Sequence, residues 1–589
     1  MEVTRVFDLL NRYEERYSDK LDAFACKVDG QWVKHSAREM ISQANLISFG
    51  LLAMGFQKGD KIATLSNNRP EWNFLDLGMM QVGGIHVPVY PTIAEADLKF
   101  ILQDAEVKYV FVSTEDLWDK VKLACSDLSS IKGMFSFDKL EGKTHWTHIL
   151  DQGIAHPAPE KVEAIKSGIQ PHDLFTLLYT SGTTGVPKGV MLSHDNIISQ
   201  IMAAETLAPV TPQSRALSFL PLNHVYERVL CYLYLYLGVS VYYAESIEKV
   251  AENLREVQPE IFGCVPRLFE KVYDRIVAKG GELTGIKKKL FFWALDLGLK
   301  YEIDGKNGAF YEFQLKIARK LIFSKWQEAL GGNVKAAISG GAALQQRLAR
   351  VFWAAEIPIL EGYGLTETSP IIAVNTLEPG GLRFGTVGKV YKRVTVRIAE
   401  DGEILCKGPN VMLGYFKRPD LTAEIIDSDG WLHTGDIGVL EDGVYLKITD
   451  RKKEIFKTSG GKYIVPQHIE NMLKESRFIE QVMVIGENQK FAGAFIVPAF
   501  VFLKEWCTRK GIAVPASNEA LIKMPEVQAR LNEEIDLVNT RLAHYETIKK
   551  CELISKEWTV DNGELTPKLS LKRRVILDRN KELFQKIYA

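Results

Sequence analysis

Leu178-Tyr-Thr-Ser-Gly-Thr-Thr-Gly-Val-Pro-Lys-Gly-Val190 gathers hydroxyls, glycines and a cation into one short run. Thr180, Ser181, Thr183 and Thr184 offer hydroxyl donors. Gly182 and Gly185 let main-chain N–H groups approach an anion closely, and Lys188 adds a full positive charge. Such a loop can cradle a polyphosphate. It departs from the common nucleotide P-loop, which needs four residues between its glycines and then Gly-Lys-Ser/Thr. Here two residues separate Gly182 from Gly185, and Lys188 lies between Pro187 and Gly189.

Three more strings carry groups of matching chemistry. Glu361-Gly-Tyr-Gly-Leu-Thr-Glu-Thr-Ser-Pro370 holds a hard oxygen ligand, Glu367, and a flat ring, Tyr363, with Gly362 and Gly364 leaving room beside it. Thr434-Gly-Asp436 presents a carboxylate whose two oxygens can accept from a pair of vicinal hydroxyls. Asp450-Arg-Lys-Lys-Glu-Ile-Phe-Lys-Thr-Ser-Gly-Gly461 is strongly charged. In this order the four strings resemble the phosphate, adenine and magnesium, ribose, and interdomain hinge segments of the adenylate-forming enzymes. That family includes acyl-CoA synthetases, luciferases and peptide-synthetase adenylation domains. Leu220-Pro-Leu-Asn-His-Val-Tyr-Glu-Arg228 and Val265-Pro-Arg-Leu-Phe-Glu-Lys271 resemble its long-chain fatty acyl-CoA synthetase branch.

The resemblance implies a reaction and assigns roles. A fatty acid carboxylate attacks the α-phosphate of ATP, pyrophosphate leaves, and the thiol of coenzyme A then displaces AMP. Both first partners are anionic, so the site must neutralise charge and align them. Thr180 and Glu367 would serve Mg²⁺, which keeps several waters and bridges phosphates. Gly340, within Ser339-Gly-Gly-Ala342, and Glu361, Gly362 and Tyr363 would line the nucleotide groove. Asp436 and Arg451 would hold the ribose. Lys453 matches the pivot between the two half-reactions, and Lys457 and Tyr463 match positions near nucleotide. His224, Thr366, Glu367 and a late lysine form the candidate catalytic set. Alternatives that share the nucleotide motifs are a ligase for another carboxylic acid and an acyl-AMP ligase that loads a carrier protein. No carrier domain follows Ala589, which disfavours a peptide-synthetase module.

The chain departs from the family's pattern in two places. Long-chain members tend to read Leu-Thr-Pro-Thr-Leu-Lys-Leu-Lys-Arg around the adenylation lysine, whereas this sequence reads Leu565-Thr-Pro-Lys-Leu-Ser-Leu-Lys-Arg573. Ser570 takes the lysine position, with Lys568 and Lys572 two residues to either side. Residues two apart share a face of an extended segment, so either ammonium can serve, and Lys568 is favoured. Some long-chain enzymes carry a gate tryptophan at the end of the Leu220 segment. Here that position is Arg228.

These residues need elements to hold them. Lys61–Leu65, 85–90, 107–112 and 174–178 read as strands and Pro70–Gln81 as a helix, so sheets covered by helices are expected. Val229–Ala244 is uncharged but shorter than the roughly 20 residues of a membrane span. Gly238 divides it into a buried helix and a buried strand. The Tyr232-Leu-Tyr-Leu-Tyr236 run either lines a tunnel or is core. Gly385–Asp450 reads as a small antiparallel or barrel-like β unit. The expected fold is α/β, with a large N-terminal domain over 1–449 that includes this β unit. A hinge at 450–453 follows, then a smaller α+β C-terminal domain over 454–589, mobile by resemblance.

Composition bounds the partners. The 589 residues exceed one core and suggest at least two domains. A net charge of −1 argues against nucleic acid. The seven cysteines are scattered, with no CxxC or metal spacing, as in a reduced cytoplasmic protein. Glu2, Arg5 and Asp8 are unlike a signal peptide. The 287–325 stretch mixes lysines with Phe291, Phe292, Trp293, Phe310, Tyr311 and Phe313. It either lies peripherally on an anionic bilayer, at the inner face of the membrane, or packs on the body as a helical hairpin. Homodimers occur in the family, and a homodimer is a candidate assembly.

Overall fold

A computed structural model describes residues 2–181, 186–559, 562–565 and 571–589. The phosphate-loop residues Gly182, Thr183, Thr184 and Gly185, and Lys568 with Ser570, lie outside the described residues. The chain divides into two compact units: residues 1–397, 405–433 and 442–446, and residues 398–404, 434–441 and 447–589.

The first unit is built on two sheets. Strands β1 (Lys61–Leu65), β2 (Ile85–Pro88), β3 (Tyr109–Val112), β4 (Leu174–Ser181) and β5 (Pro187–Ser193) belong to a seven-stranded sheet. Its middle is parallel, and β4 and β5 form an antiparallel hairpin beside it. Helix α1 (Pro70–Gln81) has Pro70 in its first turn, where a missing N–H costs nothing. Gly83 follows it at φ +71°. These stops explain why the helix ends where the sequence says it should.

The second sheet contains β6 (Arg215–Ser218), β7 (Ile261–Cys264), β8 (Ala336–Ser339), β9 (Ile359–Gly364) and β10 (Ile371–Val374). Strands β6 to β9 are parallel, and β10 returns antiparallel. Parallel strands buried on both faces read as continuous apolar runs. Helix α2 (Val225–Leu237) packs into the first core with Tyr232, Tyr234 and Tyr236 all buried, so that aromatic run is core. Gly238 ends it in the left-handed region, and a Cβ there would lie 2.6 Å from the Tyr17 ring. The strand Ser240–Tyr243 follows, matching the helix-then-strand reading.

The basic 287–325 stretch forms a hairpin of α3 (Gly285–Leu299) and α4 (Ala309–Ala318). Phe291, Leu295, Tyr311 and Leu315 bury in a second core cluster. The other compact unit has its own core around the strands Ile479–Ile485, Ala492–Pro498 and Ile548–Leu553 and the helix Pro525–Asn539. Among the described residues no helix is long and apolar enough to cross a membrane.

Candidate active site

In the first unit the β4–β5 hairpin places Thr180 opposite Lys188 and Tyr179 opposite Gly189. The hydroxyl of Tyr179 donates to Asp104 at 2.5 Å, pinning the outer end of β4. A short strand, β11 (Gly414–Tyr415), pairs antiparallel with β5 through Val190 and Met191. This register brings the Tyr415 ring under the Lys188 ammonium, 5.3 Å from its centroid. The Tyr415 hydroxyl donates to Glu367 Oε1 at 2.9 Å, and the Met412 N–H donates to the Glu367 carbonyl at 2.9 Å. Burial, then the Glu367 carboxylate, push the Tyr415 phenol far above its ordinary range, so it stays a donor. Lys188, Tyr415 and Glu367 are thus one connected group beside Thr180. The donor set would suit a hard cation: one Glu367 oxygen is committed to Tyr415, and a carboxylate oxygen is the kind of ligand Mg²⁺ takes.

Glu367 and Thr366 sit on a single 3-10 turn, Thr366–Thr368, directly after β9. The Thr368 hydroxyl accepts from the Leu365 N–H at 2.9 Å and donates to the Pro370 carbonyl at 2.7 Å. Gly364 permits that fold-back, since a Cβ there would stand 1.5 Å from the Pro370 oxygen. Ser339 pairs with Glu361 across β8 and β9. Gly340 follows β8, where a Cβ would meet the Tyr226 ring at 3.4 Å and the Gly362 carbonyl at 3.6 Å. Gly340, Glu361, Gly362 and Tyr363 therefore gather at the carboxyl ends of parallel strands, the usual ligand crevice of such sheets. Burial pushes the Glu361 carboxyl up to about 8.

His224 caps α2, and its Nδ1 accepts from the Tyr226 N–H at 3.1 Å. In the neutral ring the proton therefore sits on Nε2. Tyr226 donates to the Ile338 carbonyl at 2.7 Å, tying α2 to β8. Asn68 braces the preceding segment, donating to the Leu220 carbonyl at 2.6 Å and accepting from the Leu222 N–H at 3.0 Å.

Arg228, at the gate position, is sealed inside. It donates to Asp76 at 2.5 Å, to Thr176 on β4 at 2.7 Å and to the Tyr232 hydroxyl at 2.7 Å. Asp76 also faces His86 Nδ1 at 2.6 Å and accepts from Tyr232. Thr64 lies 2.9 Å from His86 Nε2. Burial alone would raise the Asp76 carboxyl, but Arg228 and His86 hold it below the usual range. Burial lowers His86 below its ordinary value against the opposing pull of Asp76. A side chain bound this way does not swing as a gate.

In the other unit Asp436 is buried, and Arg451 Nε lies 3.4 Å from its Oδ1. The Gly435 N–H donates to Glu403 at 2.9 Å, and Lys452 bridges Glu403 at 2.9 Å and Asp401 at 2.6 Å. Lys457 pairs with Tyr463 across a two-residue ladder, its ammonium 4.6 Å from the ring centroid. Lys453 is exposed in the turn between. Leu565 and Leu571 face each other as an antiparallel bridge. Arg573, two residues on, donates to both oxygens of Glu470 at 2.7 and 2.8 Å and to Glu454 at 3.0 Å. Lys572, the alternative lysine, is exposed at the helix start that follows.

Residues 13–416 match the family described as AMP-binding enzyme, and residues 453–589 match the AMP-binding enzyme C-terminal domain. The chain belongs to the AMP-binding enzyme family. It is therefore an enzyme of an adenine-nucleotide-binding, adenylate-forming class. One relative, the long-chain-fatty-acid–CoA ligase FadD15 of Mycobacterium bovis, is 32% identical over 95% of this chain and 93% of its own. Another, the peroxisomal long chain acyl-CoA synthetase 7 of Arabidopsis thaliana, is 31% identical over 94% of this chain and 81% of its own. The fold matches the adenylation domain of a carboxylate reductase from Mycobacterium chelonae. The TM-score is 0.75 at 21% identity, over 99% of this chain and 91% of that one.

Sequence reasoning missed Tyr415. Its surroundings, Met412-Leu-Gly-Tyr-Phe416, read as plain apolar strand, and only the long-range pairing of β11 with β5 gives the hydroxyl a partner. The Asp76–His86 part of the Arg228 network was equally silent, because both residues lie in apolar runs.

Proposed function

We infer that the protein is an ATP-dependent long-chain fatty acid–CoA ligase. The observation that carries this reading is the Lys188–Tyr415–Glu367 group beside Thr180, which joins an anion-binding loop to a carboxylate fit for a metal. The relatives named above supply the acyl class.

In the first half-reaction a fatty acid carboxylate oxygen forms a bond to the α-phosphorus of ATP. The bond to the bridging oxygen breaks, and pyrophosphate leaves with that electron pair. Lys188 and the loop from Thr180 to Gly185 hold the β- and γ-phosphates. Thr180 and Glu367 would hold Mg²⁺, whose charge offsets that of the polyphosphate. Tyr363 stacks on adenine beside Gly362 and Gly340, while Thr366 and Glu361 shape the groove wall. Asp436 and Arg451 take the ribose hydroxyls. His224 offers its Nε2–H to an oxygen at the reacting centre, an electrostatic role that needs the tautomer fixed by Tyr226. Lys568 contributes the second cation there.

In the second half-reaction the thiolate of coenzyme A attacks the acyl carbon, and AMP leaves. Lys453 is the pivot that allows the exchange, with Lys457 and Tyr463 near the nucleotide. The hinge thus falls at 450–453, between an N-terminal part over 1–449 and a C-terminal part over 454–589. Each buried methylene of the acyl chain contributes about 0.8 kcal/mol, so a long chain binds through its tail. Reduced thiols and this chemistry fit a cytoplasmic enzyme.

Incubation with palmitate, ATP, Mg²⁺ and coenzyme A, read by mass spectrometry, tests the reading. Palmitoyl-CoA and AMP are expected. Palmitoyl-adenylate without thioester would move the assignment to a carrier-loading ligase. Turnover of other acids alone would move it to a different carboxylate.

A further inference from the structure

Helix α4 is apolar on both sides. Its inner face buries Tyr311, Leu315 and Ala318 in the core of the first unit. Its outer face shows Phe310 at 73% exposure, Phe313 at 63% and Ile317 at 38%. The helical path continues through a π turn, Arg319–Phe323, where Leu321 is 50% exposed. Spacings of three, four and four residues put the four side chains on one stripe, roughly 16 Å long at 1.5 Å per residue. Two large aromatics this exposed on one helix are not the scattered singles of an ordinary surface.

The charges beside the stripe have one sign in excess. Lys306, Lys316 and Lys320 are exposed, and among the described residues no carboxylate lies within ion-pair distance of any of them. Lys287, Lys288 and Lys289 stand exposed in the first turn of α3. Lys288 donates to the Gly281 carbonyl. The nearby acids are fewer. Glu302 is paired with Arg350 at 2.6 Å, Glu356 faces Arg319 at 3.5 Å and Glu328 pairs with Lys325 at 2.9 Å, which leaves the exposed Glu282, Asp296 and Asp304 and the half-buried Glu312. Lys316, Arg319 and Lys320 also line an open recess of about 540 Å³ with Glu312, Gln327 and Glu356.

We propose that the outer face of α4 and the π turn docks on an anionic lipid bilayer, with Phe310, Phe313, Ile317 and Leu321 entering the acyl boundary and Lys316 and Lys320 meeting lipid phosphates. An apolar stripe flanked by lysines is the pattern of a helix lying in the interface plane. Each lysine near such a surface adds attraction that salt screens. A second copy of the chain would fit the apolar stripe less well. A self-complementary pairing would bring Lys316 and Lys320 toward their own counterparts. The inference goes beyond the ligase reading and stands on the helix alone, although a membrane is where a long-chain acid is dissolved.

Vesicle flotation of the full chain tests it. Vesicles of phosphatidylcholine with about one-third phosphatidylglycerol should float the protein at least about tenfold better than phosphatidylcholine alone, and raised salt should reverse the gain. The double variant Phe310→Ser/Phe313→Ser should lose that binding about tenfold. Its ligase turnover on acid presented by a soluble carrier should stay unchanged. In a third variant, Phe313→Trp, emission should shift to the blue on anionic vesicles and be quenched by brominated acyl chains. Equal flotation on both vesicle types, or flotation unaltered in the double variant, overturns the proposal. So does a double variant that turns a dimer into a monomer in light scattering while its vesicle binding holds, which assigns the stripe to a second copy. None of these readings requires catalysis, so they separate this proposal from the functional one.

Discussion

Tyr415 joins two charges that otherwise have no reason to stand together. Its ring faces the Lys188 ammonium and its hydroxyl holds one oxygen of Glu367. Removing the hydroxyl alone separates the two roles. Tyr415→Phe keeps the ring and frees the carboxylate to turn away. Acyl-adenylate formation should slow at least about tenfold, about 1.4 kcal/mol of barrier, and loss of a hydrogen bond to a charged group should lower stability by about 1.5–3 kcal/mol. Pyrophosphate exchange measures the rate, and a variant as fast as the parent would remove Tyr415 from the site. The lysine loop gives a second comparison. Lys568→Ala should cut the pyrophosphate burst by at least about tenfold, corresponding to about 1.4 kcal/mol of barrier, while Lys572→Ala leaves it near normal. The reverse pattern would transfer the role to Lys572. Glu361 supplies a pH dependence. Burial raises its carboxyl to about 8 in the folded chain from an ordinary 4.5. The folded state then binds more protons than the unfolded state between those values, so stability falls as pH rises across that window. The slope is at most about 1.4 kcal/mol per pH unit. Glu361→Gln should flatten that part of the urea-denaturation profile between pH 5 and 8. A profile of unchanged steepness would show that the carboxyl titrates normally.

Helix α2 holds its place through Arg228 as much as through its apolar face. The guanidinium connects α2 to α1 through Asp76 and to β4, the strand that ends at Ser181, through Thr176. It also lies 5.3 Å from the Trp72 ring and 5.2 Å from the Phe175 ring. Arg228→Met leaves Asp76 charged and buried, which should cost about 3–5 kcal/mol in urea unfolding. Adding Asp76→Leu should restore much of that loss, because an apolar replacement of a whole buried pair is often neutral. Additive losses would mean that the two residues act independently. Strand β1 and helix α1 were legible to their ends, because apolar runs, Pro70 and the glycines after Gln81 are local signals. The family membership was legible because the residue types in the Leu178–Val190 and Glu361–Pro370 strings are unusual together. Partners set by register were not legible. Nothing near Tyr415 announces Glu367, and nothing near Asp76 announces Arg228. The aromatic run of α2 could line a tunnel or, as such runs more often do, form core, and Tyr232, Tyr234 and Tyr236 are buried in the core.

The chain as a whole carries two compact units, and the candidate site residues divide between them. Thr180, Lys188, Glu361, Tyr363 and Glu367 belong to one; Asp436, Arg451, Lys457 and Tyr463 belong to the other. The proposed hinge at 450–453 would leave Asp436 on the N-terminal side with the nucleotide residues, and a reaction in two steps would give such a hinge a use. Lys453 is where this can be tested. It lies exposed in a turn, and its N–H makes no main-chain hydrogen bond among the described residues, whereas its neighbours do: Lys452 N–H to Gly435 and Glu454 N–H to Arg451. Proline at this position therefore removes no main-chain bond but fixes φ near −65° and restricts the residue before it. Lys453→Pro should leave the pyrophosphate burst within about twofold of the parent and slow thioester formation by at least about tenfold, a difference of about 1.4 kcal/mol in barrier. Rapid-quench measurement of acyl-adenylate and acyl-CoA in one time course reads both steps. If the two rates fall together, the substitution has disturbed folding or the nucleotide site. If neither changes, the chain turns elsewhere and the hinge does not lie at 450–453.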